Sequence, residues 1–195
     1  MTDKIKNIIS ASIQTKKEIL NDDAFIKKIE NAVDAITNAF SKGNKVLFCG
    51  NGGSAADAQH LAAEFSGRFY KNRKALPAEA LHCNTSYLTA VANDYSYDVI
   101  YARLIEGLAN EGDVVVGLST SGNSPNILKA FEVAKQKKVT TIGFTGAMGG
   151  KMKNVSDHLF NVPSTDTPRI QESHIMIGHI ICELVEEKLF AEEVK

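Results

Sequence analysis

The segment Val114-Val115-Val116-Gly117-Leu118-Ser119-Thr120-Ser121-Gly122-Asn123-Ser124-Pro125 decides the fold. Its first five residues are almost continuously apolar, the signature of a strand covered on both faces. A hydroxyl-rich turn follows. Ser124 then reads as a helix cap, with Pro125 at the first helical position. The same order recurs upstream, where Lys45–Cys49 runs into Gly50-Asn51-Gly52-Gly53-Ser54. There Ser54 reads as the N-cap, with Asp57 three residues on. Further apolar runs at Ala78–His82, Thr140–Phe144 and His158–Val162 read as strands. Helical patterns cover Ala55–Phe65, Thr85–Ala92, Tyr97–Leu108, Pro125–Gln136 and Arg169–Leu189. Strands alternating with helices predict an α/β fold, a doubly wound, flavodoxin-like domain with a central five-stranded parallel sheet flanked by helices.

Two helical patterns precede this core. Ile5, Ile9, Ile13 and Leu20 form a loose stripe, and Ile26, Ile29, Val33, Ile36 and Phe40 recur at spacings of three and four before Gly43. The expected organisation is one domain over residues 1–195, with an N-terminal helical segment (1–42) and an α/β core (43–190). Ala191–Lys195 reads as a frayed, charged tail.

The chain has 195 residues, 44% hydrophobic and 23% charged, with 14 Gly and 4 Pro, which excludes a disordered or collagen-like class. Twenty-two basic and 23 acidic residues give a net charge of −1 without a Lys/Arg block, which argues against a nucleic-acid partner. Cys49, Cys83 and Cys182 are widely spaced and form no CxxC pair, so reduced thiols are expected. No run approaches the ~20 apolar residues of a membrane helix. Lys4, Lys6, Lys16, Lys17 and Glu18 interrupt any secretory signal at the N-terminus. A cytoplasmic location, no membrane, and a small-molecule or protein partner are the expectations.

Ligands of doubly wound sheets bind beyond the carboxyl ends of the strands. The first loop there, Gly50–Ser54, has three glycines that let backbone approach a ligand. Gly50, Gly52 and Ala55 loosely satisfy a dinucleotide fingerprint, but the next strand ends in His82-Cys83-Asn84-Thr85 and lacks its ribose-binding acid. A turn that only reverses the chain is the alternative. The second loop places four hydroxyls, on Ser119, Thr120, Ser121 and Ser124, at a helix N-terminus. Free N–H groups and the helix dipole make that an anion site suited to a phosphate monoester. Its alternative is a capping turn. Gly146–Lys151 imitates a P-loop but has Thr145 before it and Met152 in place of the required hydroxyl.

His60 and Glu64 share one face of their helix a turn apart. Gln171 and His179 lie eight residues apart on the last helix, roughly 80° around its axis. Together these four side chains can hold Zn²⁺ or a similar divalent ion. A solvated helix face is the alternative. His174, in register with Ile177, Ile181 and Leu184, reads as a core or interface histidine.

The segments GNGGSAADAQHLAAEF (Gly50–Phe65), VANDYSYD (Val91–Asp98), LSTSGNSPN (Leu118–Asn126) and RIQESHIMIGH (Arg169–His179) resemble the phosphoheptose isomerases of the sugar isomerase (SIS) superfamily. The likeness runs through the whole chain. It implies conversion of sedoheptulose 7-phosphate to D-glycero-D-manno-heptose 7-phosphate through an enediol(ate), the first step toward ADP-heptose and lipopolysaccharide core. It also implies sugar contacts at Asn51, Gly52, Gly53, Asn93 and Asp94, and a phosphate held by Ser119, Thr120, Ser121 and Ser124. Ser54 and Asp166 match further positions near the site. His60, Glu64, Gln171 and His179 match the zinc ligands, one Zn²⁺ per subunit. The resemblance further implies a homotetramer with active sites at subunit interfaces, for which the apolar stripes of residues 1–42 are suited.

Aldose–ketose exchange needs a base for a carbon-bound proton and stabilisation of an enediolate. Glu64 is the candidate for the carbon proton and His179 for the oxygens. A Glu64 oxygen bound to zinc is less basic, so the two roles compete unless one oxygen stays free. A non-catalytic relative that forms SIS tetramers and binds the replication initiator is the rival; it lacks the full His/Glu/Gln/His set present here.

Overall fold

The structure is a computed structural model and describes residues 1–191. The order is α1 (Thr2–Leu20), α2 (Asp23–Ser41), β1 (Val46–Gly50), α3 (Gly53–Ser66), β2 (Ala78–Ala80), α4 (Thr85–Asp94), α5 (Ile100–Leu108), β3 (Val114–Leu118), α6 (Pro125–Gln136), β4 (Thr140–Gly146), β5 (His158–Val162) and α7 (Thr167–Leu189). The five strands form one parallel sheet in the order β2-β1-β3-β4-β5. The strand order reverses between β1 and β3, paired with Val46 opposite Val114, so the crevice at their carboxyl ends is the topological switch point.

Side-chain alternation divides the core in two. Val46, Phe48, Val114, Val116, Ile142 and Phe144 face α2, α3 and α7. Leu47, Cys49 and Val115 face α5 and α6. Successive strand residues point to opposite faces, and helices cover both, which is why the central strands carry no polar alternation.

Several boundaries depart from the sequence expectation. β1 is shifted by one residue, and β2 stops at Ala80 because Leu81-His82 turns away. The edge strands β2 and β5 are only partly covered, since each has a neighbour on one side alone. The helix expected from Tyr97 opens with a 3₁₀ turn over Tyr97–Val99. Another 3₁₀ segment, Gly150–Asn154, follows the glycine stretch after β4. Ser54 is not the N-cap of α3. Gly52, at φ +58°, takes that place, and Ser54 is buried inside the first turn. Ser124 does precede Pro125 as cap of α6, but its hydroxyl bonds Ser119 Oγ at 2.8 Å instead of a backbone N–H. On α2, Phe25 replaces Ile26 in the core beside Ile29, Val33, Ile36 and Phe40. Of the charged tail, residues 192–195 lie outside the described residues.

α1 rests lightly on α7. Ser12 donates to Glu172 at 2.7 Å and Arg169 donates to the Ile8 carbonyl at 3.2 Å. Ile5, Ile8, Ile9 and Ile13 remain about half exposed, between 47% and 53%. No described helix is long and apolar enough to cross a membrane.

Candidate active site

Two groups of polar residues stand out, one in the loops after β1 and β3 and one on the facing helices α3 and α7. At the carboxyl end lie the loops after β1 and β3. Ser119 is buried, Thr120 and Ser124 are half-buried, and Ser121 faces solvent. The turn beneath this loop is the glycine stretch that imitates a P-loop. A Cβ on Gly122, whose φ is +66°, would fall 2.2 Å from the Gly149 carbonyl oxygen. Met152 N–H donates to the Gly122 carbonyl at 3.0 Å and Lys151 N–H to Asn123 Oδ1 at 3.0 Å. Gly146–Lys151 therefore supports the hydroxyl loop. A cavity of about 300 Å³ adjoins it, walled by Thr120, Ser121, Asn123, Ser164 and Thr167 among others.

Asn51 and Asn126 bridge the two loops. Asn93 and Asp94 end α4 in solvent, hydrogen-bonded to each other at 2.9 Å. Asp166 caps α7 without a side-chain bond and is exposed. The Gln171 amide lies against Gly53, where an added Cβ would sit 2.8 Å from Nε2.

The second group sits where α3 nears its end. His60 Nε2 is 3.0 Å from Glu64 Oε1 and 3.0 Å from His179 Nε2. One donor atom from each of the three residues lies within 4.8 Å of the others. Close helix packing makes this possible. A Cβ on Gly178 would meet Leu61 Cδ1 at 2.5 Å, so the glycine beside His179 lets α7 approach α3. Gln171 stands apart from the trio. Eight residues at about 1.5 Å each put it some 12 Å up the helix axis from His179. Two imidazole nitrogens facing at hydrogen-bond distance need a proton or a cation between them. Two nitrogens and a carboxylate suit a divalent ion such as Zn²⁺, so the donors fit one.

Surrounding residues hold the trio in shape. The Phe69 ring stands 5.8 Å from that of His179. Its loop is fixed by a buried ion pair, Arg73 Nε to Glu186 Oε1 at 2.9 Å. Glu186 also accepts the N–H groups of Phe69, Tyr70 and Lys71 at 2.7–3.1 Å. Burial alone would raise its pKa, but these donors together hold it below the ordinary glutamate range. Arg73 caps the end of α3 through the carbonyls of Glu64, Phe65 and Gly67. Asp57 joins the same face of α3. Burial raises its pKa, while the charges of His60 and His179 oppose that rise. In the sequence Asp57 reads as a helix-start acid, although its spacing of three and seven residues from His60 and Glu64 signals the shared face. No local pattern in the sequence pairs Arg73 with Glu186, which lie 113 residues apart.

The parallel sheet with its hydroxyl loop at a switch point defines a class, and comparison bears it out: the SIS domain family matches residues 6–146. A phosphoheptose isomerase from Clostridium acetobutylicum is 54% identical over 194 residues, covering 100% of this chain and 99% of that one. One from Aneurinibacillus thermoaerophilus is 52% identical, covering 97% and 96%. The solved phosphoheptose isomerase from Francisella tularensis superposes with a TM-score of 0.91 at 37% identity, covering 95% and 98%. That from Neisseria gonorrhoeae gives 0.89 at 38%, also covering 95% and 98%. The chain belongs to the phosphoheptose isomerase family of SIS-domain isomerases.

Proposed function

We propose that the chain converts sedoheptulose 7-phosphate to D-glycero-D-manno-heptose 7-phosphate through an enediol(ate), in the cytoplasm, as the first step toward ADP-heptose and lipopolysaccharide core. Relatives named phosphoheptose isomerase along the full chain support the substrate. The observation that carries the chemistry is the meeting of Glu64 with His60 and His179.

Glu64 engages His60 through Oε1, and its Oε2 is assigned the proton that moves between C1 and C2. His179 is assigned the two oxygens, giving and taking the second proton at Nδ1, the ring nitrogen that does not face His60. His60, Glu64 and His179 would hold one Zn²⁺ per subunit, which when bound polarises the substrate carbonyl. Gln171, beside Gly53, is then left to the sugar with Asn51, Gly52, Gly53, Ser54, Asn93, Asp94 and Asp166. Ser119, Thr120, Ser121 and Ser124 hold the phosphate, whose remote binding energy positions the reacting carbons.

Two features support a homotetramer with active sites shared between subunits. α1 leaves Ile5, Ile8, Ile9 and Ile13 half exposed. Furthermore, Ser54 and Glu64 are ten residues apart on α3, about 15 Å along its axis. The glycine loop and Glu64 of one chain thus lie at opposite ends of that helix. On this reading, a site that uses the hydroxyl loop and the trio together draws them from different copies.

The test is turnover of sedoheptulose 7-phosphate and of pentose and hexose ketose phosphates, before and after chelation. The expected result is an aldoheptose product from sedoheptulose 7-phosphate, formed more slowly after chelation and restored by Zn²⁺. Absence of turnover with every phosphosugar overturns the reading.

A further inference from the structure

The two ligand loops are tied together by one pair of amides. Asn126 is buried at the second position of α6. Its Oδ1 accepts the Ile127 N–H at 3.0 Å and Asn51 Nδ2 at 3.0 Å. Its Nδ2 donates to Asn51 Oδ1 at 2.8 Å. Asn51 Oδ1 also accepts the Tyr97 hydroxyl at 3.1 Å. The preceding carbonyl, that of Gly50, accepts the hydroxyl of buried Tyr101.

This chain of bonds has a single direction. The Ile127 N–H can only donate, which fixes the oxygen side of Asn126. That orientation fixes Asn51, and Asn51 Oδ1 in turn requires Tyr97 to donate. Asn51 therefore spends its oxygen and one amide proton inside the protein and keeps one proton for a ligand. β1 and β3 pair as far as Gly50 and Leu118, which fixes the bases of the two loops. Beyond that pair α3 and α6 leave on opposite faces of the sheet, and no ladder bond joins Asn51 to the first turn of α6. The amide pair spans that gap.

We propose that Asn126 is a positioning residue: its reciprocal bond with Asn51, latched by Tyr97, sets the separation of the glycine loop from the hydroxyl loop so that both close on one sugar phosphate. The proposal rests on the isomerase reading and adds residues to it. A buried amide pair that merely cements the fold would change stability without changing substrate affinity.

The test uses the full chain with Asn126→Asp, Asn126→Ala, Asn51→Ala and the double alanine variant. KM, kcat and calorimetric affinity are measured with sedoheptulose 7-phosphate. Asn126→Ala should raise KM about tenfold or more with kcat little changed; Asn51→Ala, which also loses its own bond to the sugar, should lose more, and the double variant should lose no more than Asn51→Ala alone. Asn126→Asp carries a pH signature. As a carboxylate it opposes Asn51 Oδ1; protonated, it donates to that oxygen again. Its kcat/KM relative to wild type should recover as pH falls from 8 toward the raised pKa of a buried acid. Neighbouring titratable groups, Tyr97, Tyr101 and the Asp98–Lys129 pair at 3.5 Å, are common to both proteins and cancel in the ratio. Additive losses, an unchanged KM, or a ratio flat with pH would overturn the proposal. A wild type that binds the sugar phosphate without turning it over sinks the isomerase reading alone, and the interlock is then judged on affinity. One that does not bind it overturns both.

Discussion

The carboxyl end of the sheet and the far end of α3 are built on opposite plans. At the first, the candidate site is made of contiguous residues: two loops offering backbone N–H groups and neutral hydroxyls, each directly after a strand. At the second, it comes from helix faces, with His60 and His179 brought together across 119 residues of sequence. Local geometry makes the loop site, so a turn and a cap suffice. Tertiary packing makes the trio, through Gly178 against Leu61 and the Arg73–Glu186 clamp. The first end suits binding of a phosphate, and the second suits proton transfer.

That division of labour predicts separable losses. Glu64→Gln should lower kcat by about a thousandfold or more while leaving affinity for sedoheptulose 7-phosphate near wild type. Retained turnover would remove Glu64 as the base, and a parallel fall in affinity would merge the two regions. The converse variant, Ser119→Ala with Ser121→Ala, should raise KM about tenfold or more with a smaller change in kcat. Mixing the two variant chains sharpens the contrast further. If loop and trio of one site come from different copies, refolding the variants together forms some sites with both parts intact. Activity should then exceed the sum of the parents. No gain over that sum would assign both ends to the same chain.

The loop end was legible in the sequence because its signals are short-range. The runs before Gly50 and Ser119, the cap at Ser124 and Pro125 all act within a few residues. Ser54 misled for a related reason: serine is a good cap, but Gly52, free to take positive φ, starts α3 earlier. His60 and Glu64 could be paired from helical periodicity. Angular spacing also paired Gln171 with His179, but angle ignores axial rise, which separates them by about two turns. Bracing by Asn126, Tyr97 and Glu186 depends on which elements meet, and periodicity carries no such information.

The smallest expected effect concerns the histidine between the two ends. His174 lies on α7 between Gln171 and His179, fully buried, with its ring edge-on to Phe144 at 5.6 Å. Burial pulls its pKa down to about 4, although its Nε2 bond to the Thr145 carbonyl at 3.1 Å opposes the shift. The native state therefore keeps His174 neutral where the unfolded chain, with a pKa near 6.5, takes a proton. Above pH 6.5 neither state binds it and the group is silent. As pH falls from 6.5 to about 4, only the unfolded state gains the proton, so stability declines by up to about 1.4 kcal/mol per pH unit and then levels off. His174→Gln can still donate to the Thr145 carbonyl but does not titrate. Urea unfolding in steps from pH 7 to pH 4 should lose this one-proton slope in the variant. A slope that survives the substitution would assign the acid sensitivity to other groups and would leave His174 a packing residue alone.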